Sequence, residues 1–212
     1  MIEVRDLVSL VESFAPDDDP RARHSRDRTL ALLRTASWPL DRRSFTSGHI
    51  TTSGLVLSPD GHRVLLVFHR RLRRWLQPGG HVEPADPDIL SAARREVREE
   101  TAVDLEDGAS PLLVGIDVHA IPPTPAEPGH VHHDLVFGFV ARSEGLESAE
   151  ALRVAWCPWD RLDDFAADAP VRRAARRARA AFAPSAGRDR PGPLGPPPGG
   201  RPGRGRASTR RS

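Results

Sequence analysis

The 212-residue chain has no lysine, no asparagine, no tyrosine and only one cysteine. With Cys157 alone, no intramolecular disulfide can form, and a reducing compartment is the simple expectation. All 31 basic residues are arginine, which reads as the coding bias of a GC-rich genome rather than a functional choice. Long apolar runs are missing too, so no segment is expected to span a bilayer. The N-terminal stretch MIEVRDLVSLVESF sets acids among its apolar positions, unlike a signal peptide. These absences point to a soluble, cytoplasmic protein without a membrane partner. No internal repeat is present, and nothing in the sequence sets the oligomeric state, so a homodimer is open.

Proline, glycine and arginine dominate the last 29 residues, 184–212, with seven of each. Seven arginines against one aspartate give this tail about six positive charges, and the whole chain carries +2, which leaves about −4 for the rest. The body of the protein is therefore not basic. The tail cannot bury enough apolar surface to offset its ordering entropy and is expected to be disordered.

Upstream of the tail, Val4, Leu7, Val8, Val11 and Phe14 recur with a helical period. Residues 17–20 break it, and a second helix is expected over 27–35. From Gly48 the character changes. Residues 49–57 and 62–69 are rich in β-branched and aliphatic side chains and flank Ser-Pro-Asp-Gly, a hairpin signal. Residues 112–119 and 131–141 read as further strands separated by a proline-rich loop, and 154–156 as a short strand. A short helix over 159–166 and a longer arginine-rich one over 171–182 follow. Strands on both sides of one central helix, plus a late helix, indicate an α/β sandwich with a mixed sheet. The expected organisation is an N-terminal helical extension (1–45), an α/β domain (46–183) and the tail (184–212).

The central helix carries the chemistry. Residues 79–103 read GGHVEPADPDILSAARREVREETAV. Glu96, Glu99 and Glu100 stand at spacings i, i+3 and i+4, neighbouring positions on a helix surface. Ile89, Leu90, Ala93 and Val97 form the adjoining apolar stripe. Arg94 and Arg98 point away, while Arg95 flanks Glu99. Three crowded carboxylates repel one another unless a cation joins them, and hard divalent ions prefer oxygen ligands. Charge spacing alone also fits an ordinary solvated face. Asp86 fits an N-cap, Pro87 the first helical position, and Asp88 the positive end of the helix dipole.

The full string Gly79-Gly80, Val82-Glu83-Pro84, Asp86, Ala92-Ala93 and Arg95-Glu96-Val97-Arg98-Glu99-Glu100-Thr101 closely resembles the Nudix box, Gx5Ex7REUxEExGU with U apolar. The motif covers about 25 residues. The resemblance implies a Nudix α/β/α sandwich and a pyrophosphohydrolase acting on a nucleoside diphosphate linked to another moiety. It implies Mg²⁺ or Mn²⁺ held by Glu96, Glu99 and Glu100 with the Gly80 carbonyl. Glu96, Glu99 and Arg95 are then the catalytic residues, with Arg95 orienting the carboxylates by ion pairing. Two positions depart from the pattern. The distance from Gly80 to Arg95 is one residue longer, so Asp86 takes the first glutamate's seat, where it can serve as a cap rather than the ion-pair partner, with Glu83 as a substitute. Ala102 stands where the family has glycine.

Other groups remain candidates. Glu127, Glu144, Glu147 and Glu150 are candidate bases for water activation, though each taken singly reads more readily as a surface acid. On a strand, His130, His132 and Asp134 share one face and His133 takes the other. With His81 and His119 they can line a phosphate or base pocket, bind a transition metal, or simply form a polar strand edge. Arg70, Arg71, Arg73 and Arg74 can clamp phosphates, with Trp75 stacking on a base. Arg74, Trp75, His81, His132 and Asp134 are the substrate-binding candidates. No extra coenzyme A pyrophosphatase motif precedes the box, and the absence of tyrosine counts mildly against dinucleoside polyphosphates. Nucleoside triphosphates, ADP-ribose and coenzyme A derivatives stay open as substrates. A different reading makes the chain a non-catalytic Nudix-fold binding protein, holding nucleic acid with Arg172, Arg173, Arg176, Arg177, Arg179 and the tail.

Overall fold

The computed structural model describes residues 2–70, 72–106, 112–146 and 153–182. The tail, with its expected disorder, lies outside them, as do Arg71, Glu147 and Glu150. Two helices, α1 (Val4–Ser13) and α2 (Pro20–Thr35), precede the sheet. Helix α2 starts seven residues before the expected position 27. Asp19 accepts from the backbone N–H groups of Arg21 and Ala22, and Pro20 opens the helix, a cap-plus-proline start. Its first turns bury only the small Ala22 and Ser25, so they show little apolar periodicity.

Strand β1 (His49–Leu57) is the centre of the sheet, and each of its residues is buried. Along its whole length it runs parallel to β6 (His130–Val140), with His49 beside His132 and Leu57 beside Val140. Its other edge is shared. The first half pairs with the short β4 (Gly79–His81), Thr51 lying opposite His81, and the far end meets β2 (Arg63–His69) through Leu57 and Val64. Strand β2 is flanked by β3 (Arg74–Leu76) and β7 (Arg153–Pro158), and β5 (Leu112–Ile121) closes the other side against β6. One parallel pair among antiparallel ones makes the sheet mixed, as expected.

Helices cover both faces. On one, Ile50, Val56, Leu65, Phe137 and Phe139 pack with Ala93 and Val97 of α3 (Ile89–Thr101) and with the apolar side of α1 and α2. Helix and strand approach closely at Gly54, where a Cβ would come within 2.3 Å of Val97 Cγ2. On the other face, Leu55, Leu57, Val64, Leu66 and Cys157 pack under α4 (Ala169–Phe182). The expected short helix at 159–166 is reduced to one 3-10 turn, Trp159–Arg161.

The face under α4 changes character along β1. Alternation places His49, Thr51 and Ser53 on the same side as Leu55 and Leu57. The apolar half supports α4, and the polar half faces a cleft. The N-terminal helices are fastened to both sides of this arrangement. His133 points to the opposite face, where Thr29 Oγ1 of α2 lies 3.1 Å from its Nδ1. Arg173 and Arg177 of α4 reach Asp19 at 3.1 Å and Asp17 at 3.0 Å.

Candidate active site

Helix α3 begins at Ile89, and its cap is Asp88, whose side chain accepts from Ser91 N at 2.7 Å. Asp86 is therefore not the N-cap. It is the partner of Arg95, and its two oxygens accept from Arg95 Nε and Nη2 at 3.0 Å each. That fork-on-fork pairing is the strongest geometry available to an arginine and a carboxylate. Asp86 also accepts from the backbone N–H of Glu83 at 2.8 Å, which tightens the loop. Glu83 itself approaches Arg95 only to 3.9 Å. The extra residue before Arg95 is thus accommodated in the 82–88 loop, and an aspartate one methylene shorter than glutamate completes the pairing.

The rest of the Arg95 guanidinium is used as well. Its Nη1 donates to Glu96 at 2.8 Å and to Glu99 at 3.1 Å, and its Nη2 donates to the His81 carbonyl at 2.9 Å. One cation therefore ties loop, β4 and helix together. The third carboxylate, Glu100, accepts from the backbone N–H of Gly79 at 3.1 Å. Burial pushes the Glu96 carboxyl above the usual carboxylate range, and the Arg95 hydrogen bond works against that rise. For Asp86, burial acts upward, but the Arg95 and Glu83 hydrogen bonds prevail and hold the carboxyl below its ordinary value. Glu99 is the most open of the three helix glutamates, with 54% of its side chain exposed against 14% for Glu96.

Gly80 closes the site. A Cβ there would lie 2.7 Å from Glu96 Oε2, so only glycine lets β4 approach the carboxylate this closely. At the helix end, Ala102 adopts φ 55° and ψ 16°, the left-handed conformation that glycine takes without strain.

Two clefts flank the Gly80–His81 strand. The larger, about 910 Å³, runs along the polar half of the sheet and reaches Gly79, Gly80, Glu100 and Arg74. The smaller, about 850 Å³, opens over Glu96 and Asp86 and is bordered by Trp38, Arg42 and Arg43. The substrate-binding candidates divide between cleft and core. Arg74, His81, His132 and Asp134 line the larger cleft. Trp75 does not. It packs edge-on against Phe68 and Phe165, with ring centroids 5.4 and 5.1 Å away, on the opposite face of β3 from Arg74. Asp134 is buried and accepts from the hydroxyls of Thr51 and Ser53. Burial raises its carboxyl above the usual range despite those hydrogen bonds.

Among the candidate bases, Glu127 lies on the larger cleft and is ion-paired to Arg42 at 3.4 Å. Glu144 instead pairs with Arg63, away from the cleft lining. His49 is a residue that sequence reasoning passed over. It lies fully buried between His81, His130 and His132, with ring centroids 4.8–5.2 Å from each. Its signal was its position, a histidine opening a strand of otherwise aliphatic, hydroxyl and glycine residues, in register with the His130–Asp134 segment.

A glutamate-bearing helix, an arginine clasp and a glycine strand thus meet between two clefts. The sequence matches the NUDIX domain family over residues 48–180, and the chain belongs to that family. No curated protein matches the chain. Similar solved structures include a NUDIX hydrolase from Nitrosomonas europaea, 20% identical, covering 63% of this chain and 89% of that one with a TM-score of 0.47. A NUDIX-family hydrolase from Clostridium perfringens is 21% identical over 61% of this chain and 95% of its own, TM-score 0.44. The E. coli dihydroneopterin triphosphate pyrophosphohydrolase is 19% identical over 60% and 92%, TM-score 0.44. Among the described residues, no helix is long and apolar enough to cross a membrane.

Proposed function

We propose that this chain splits the pyrophosphate bond of a nucleoside diphosphate linked to another moiety, of the nucleoside triphosphate, ADP-ribose or coenzyme A type, in a divalent-metal-dependent reaction. The observation that carries the reading is the single guanidinium of Arg95 among the carboxylates of Asp86, Glu96 and Glu99, with Glu83 and Glu100 close by. Arg95 alone does not balance these carboxylates, and an anionic diphosphate needs further positive charge beside them.

The donor types suit Mg²⁺ or Mn²⁺, and the set would close on the ion, since among the described residues Glu96, Glu99 and Glu100 are not grouped within 4.8 Å of one another. The set is all oxygen, it is concentrated on one helix face, and the Gly80 cradle leaves no room for a side chain beside Glu96. Glu96, Glu99 and Glu100, with the Gly80 carbonyl, would hold the ion. When bound, it supplies positive charge for the phosphate oxygens and makes water more acidic.

The protein's own residues do the positioning. Arg95 fixes the rotamers of Glu96 and Glu99 and, through the His81 carbonyl, the height of β4. Arg74 at the cleft wall offers a phosphate contact, and His81, His132 and Asp134 give the cleft its polar floor. Glu127, on the same cleft and ion-paired to Arg42, is the later-loop candidate for taking a proton from water. Support for the nucleic-acid reading is weaker on α4. Arg173 and Arg177 are committed to Asp19 and Asp17, Arg172 to Asp163, and Arg179 lies 5.6 Å over the Trp159 ring. Arg176 is exposed.

The test is a panel of nucleoside triphosphates, ADP-ribose, coenzyme A and nucleotide sugars, each with Mg²⁺ or Mn²⁺ and with products identified by mass. Turnover of at least one member is expected; turnover of none would favour the binding reading.

A further inference from the structure

Histidines gather on the sheet face that forms the larger cleft, and strand register puts them there. His49 on β1 is the partner of His132 on β6, which in turn lies opposite His119 on β5. His81 on β4 lies opposite Thr51, two residues along β1 from His49 and on the same face. We propose that His49, His81 and His132 form a second metal site, separate from the carboxylates, that binds a borderline transition ion such as Zn²⁺.

Geometry supports the assignment. The three rings form a nearly equilateral triangle, with centroids 4.8 Å (His49–His132), 5.1 Å (His81–His132) and 5.2 Å (His49–His81) apart. Zinc–imidazole bonds of about 2.0–2.1 Å put an ion about 3.2 Å from each centroid, and tetrahedral angles then separate the centroids by about 5.2 Å. One nitrogen from each ring already lies within 4.8 Å of the others, so modest side-chain rotations close the site.

The hydrogen-bond inventory points the same way. His49 is fully buried, and neither its Nδ1 nor its Nε2 makes a well-formed hydrogen bond among the described residues, the Ser44 backbone being only a weak contact. Buried polar atoms without partners are uncommon, and a bound ion is one of the few things that accounts for them. The tautomers near His132 follow from the acceptors. His130 Nδ1 lies 2.9 Å from the Pro128 carbonyl, which can only accept, so that nitrogen carries the hydrogen. In the neutral ring, His130 Nε2 is then an acceptor, and His132 Nε2, 3.0 Å away, must donate to it. That leaves His132 Nδ1 with a free lone pair, and the His130 contact is the outer partner that ligating imidazoles ordinarily have.

The chemistry is complementary to the carboxylate site rather than a duplicate of it. Three imidazoles select zinc-like ions over magnesium, which prefers oxygen. Three protein ligands leave a fourth position, and since His81 and His132 line the cleft it is available to water or a phosphate oxygen. His81 follows Gly80 directly, so the two sites meet at one strand. The proposal stands on the imidazoles alone and does not require the hydrolase reading.

The test uses the full-length protein, stripped with EDTA and exchanged into metal-free buffer. Zn²⁺ is titrated in competition with a chromophoric chelator, and Co²⁺ absorption reports coordination geometry. One tight Zn²⁺ equivalent is expected in the parent protein and in Glu99→Gln, with a four-coordinate Co²⁺ spectrum. In His49→Asn, and in the less buried His81→Gln as a second variant, affinity should fall at least 100-fold while circular dichroism is unchanged. No tight equivalent in the parent, affinity within threefold of the parent in a folded His81→Gln, or loss of the equivalent in Glu99→Gln would overturn the proposal.

Discussion

Asp86 and Arg95 meet fork to fork, two hydrogen bonds of 3.0 Å each across nine residues of sequence. Asp86 is almost completely enclosed, with 6% of its side chain exposed, while Arg95 keeps 20%. The pair joins the glycine loop to the helix, and Arg95 goes on from it to Glu96 and Glu99. Asp86→Asn should therefore cost about 2 kcal/mol of stability, because it leaves a half-buried guanidinium without its main partner. It should also lower kcat/KM about 10- to 100-fold through misplacement of the glutamates, a magnitude typical of outer partners of a metal site. Chemical denaturation and steady-state kinetics check both. Unchanged kinetics would mean that Glu83 replaces Asp86.

Gly80→Ala tests the cradle. The new methyl would sit 2.7 Å from Glu96 Oε2, the far end of a flexible side chain, so the fold can yield while the carboxylate moves. Turnover should fall by about two orders of magnitude, since a misplacement of about 1 Å is enough for that. The thermal midpoint should change by no more than a few degrees. Mn²⁺ affinity, read by electron paramagnetic resonance, should weaken in parallel.

Ala102→Gly restores the residue type that the left-handed φ of 55° favours. Relief of that strain should raise the unfolding free energy by about 0.5–1 kcal/mol, partly offset by the greater chain freedom of glycine when unfolded. A urea midpoint that falls would contradict the strain at this helix end.

The buried histidines set an acid limit on the metal-free protein. Burial, with Arg28 nearby, lowers His133 from 6.5 to about 4; burial, with His81 and His130, lowers His49 to about 4. In the unfolded chain these rings take protons near 6.5. The folded state thus binds fewer protons between about pH 6.5 and 4, and stability falls as pH falls through that window. Above 6.5 both states are neutral at these rings, and the effect is absent. Urea midpoints from pH 7.5 to 4.5 in EDTA should show the decline, and His133→Gln should lessen it while the His49 contribution remains.

Much of the fold was legible because its signals were local. Strand β1 runs from His49 to Leu57, as its β-branched run and the following turn indicate. The face assignment of His130, His132 and Asp134 against His133 followed from the two-residue repeat alone. What escaped depends on pairing between distant segments. Asp86 could be assigned from sequence as a cap or as an ion-pair partner, and only the path of the 82–88 loop decides. Trp75 looked free to stack on a base until Phe165, ninety residues away, closed over it. The role of His49 emerges only when β1 lies parallel to β6 and antiparallel to β4. The start of α2 was misplaced because its first turns bury small residues, which carry almost no apolar signal.

The central claim, that the glutamates of α3 hold the ion that makes this chain a pyrophosphohydrolase, is tested most directly by Glu99→Gln. Glu99 is largely exposed, so the fold should survive, as circular dichroism and the thermal midpoint would show. Mg²⁺-dependent product release from the best substrate of the panel should drop at least about 100-fold, as expected for loss of a group that acts in the transition state. Turnover within threefold of the parent protein, with the same Mg²⁺ dependence, would contradict the account.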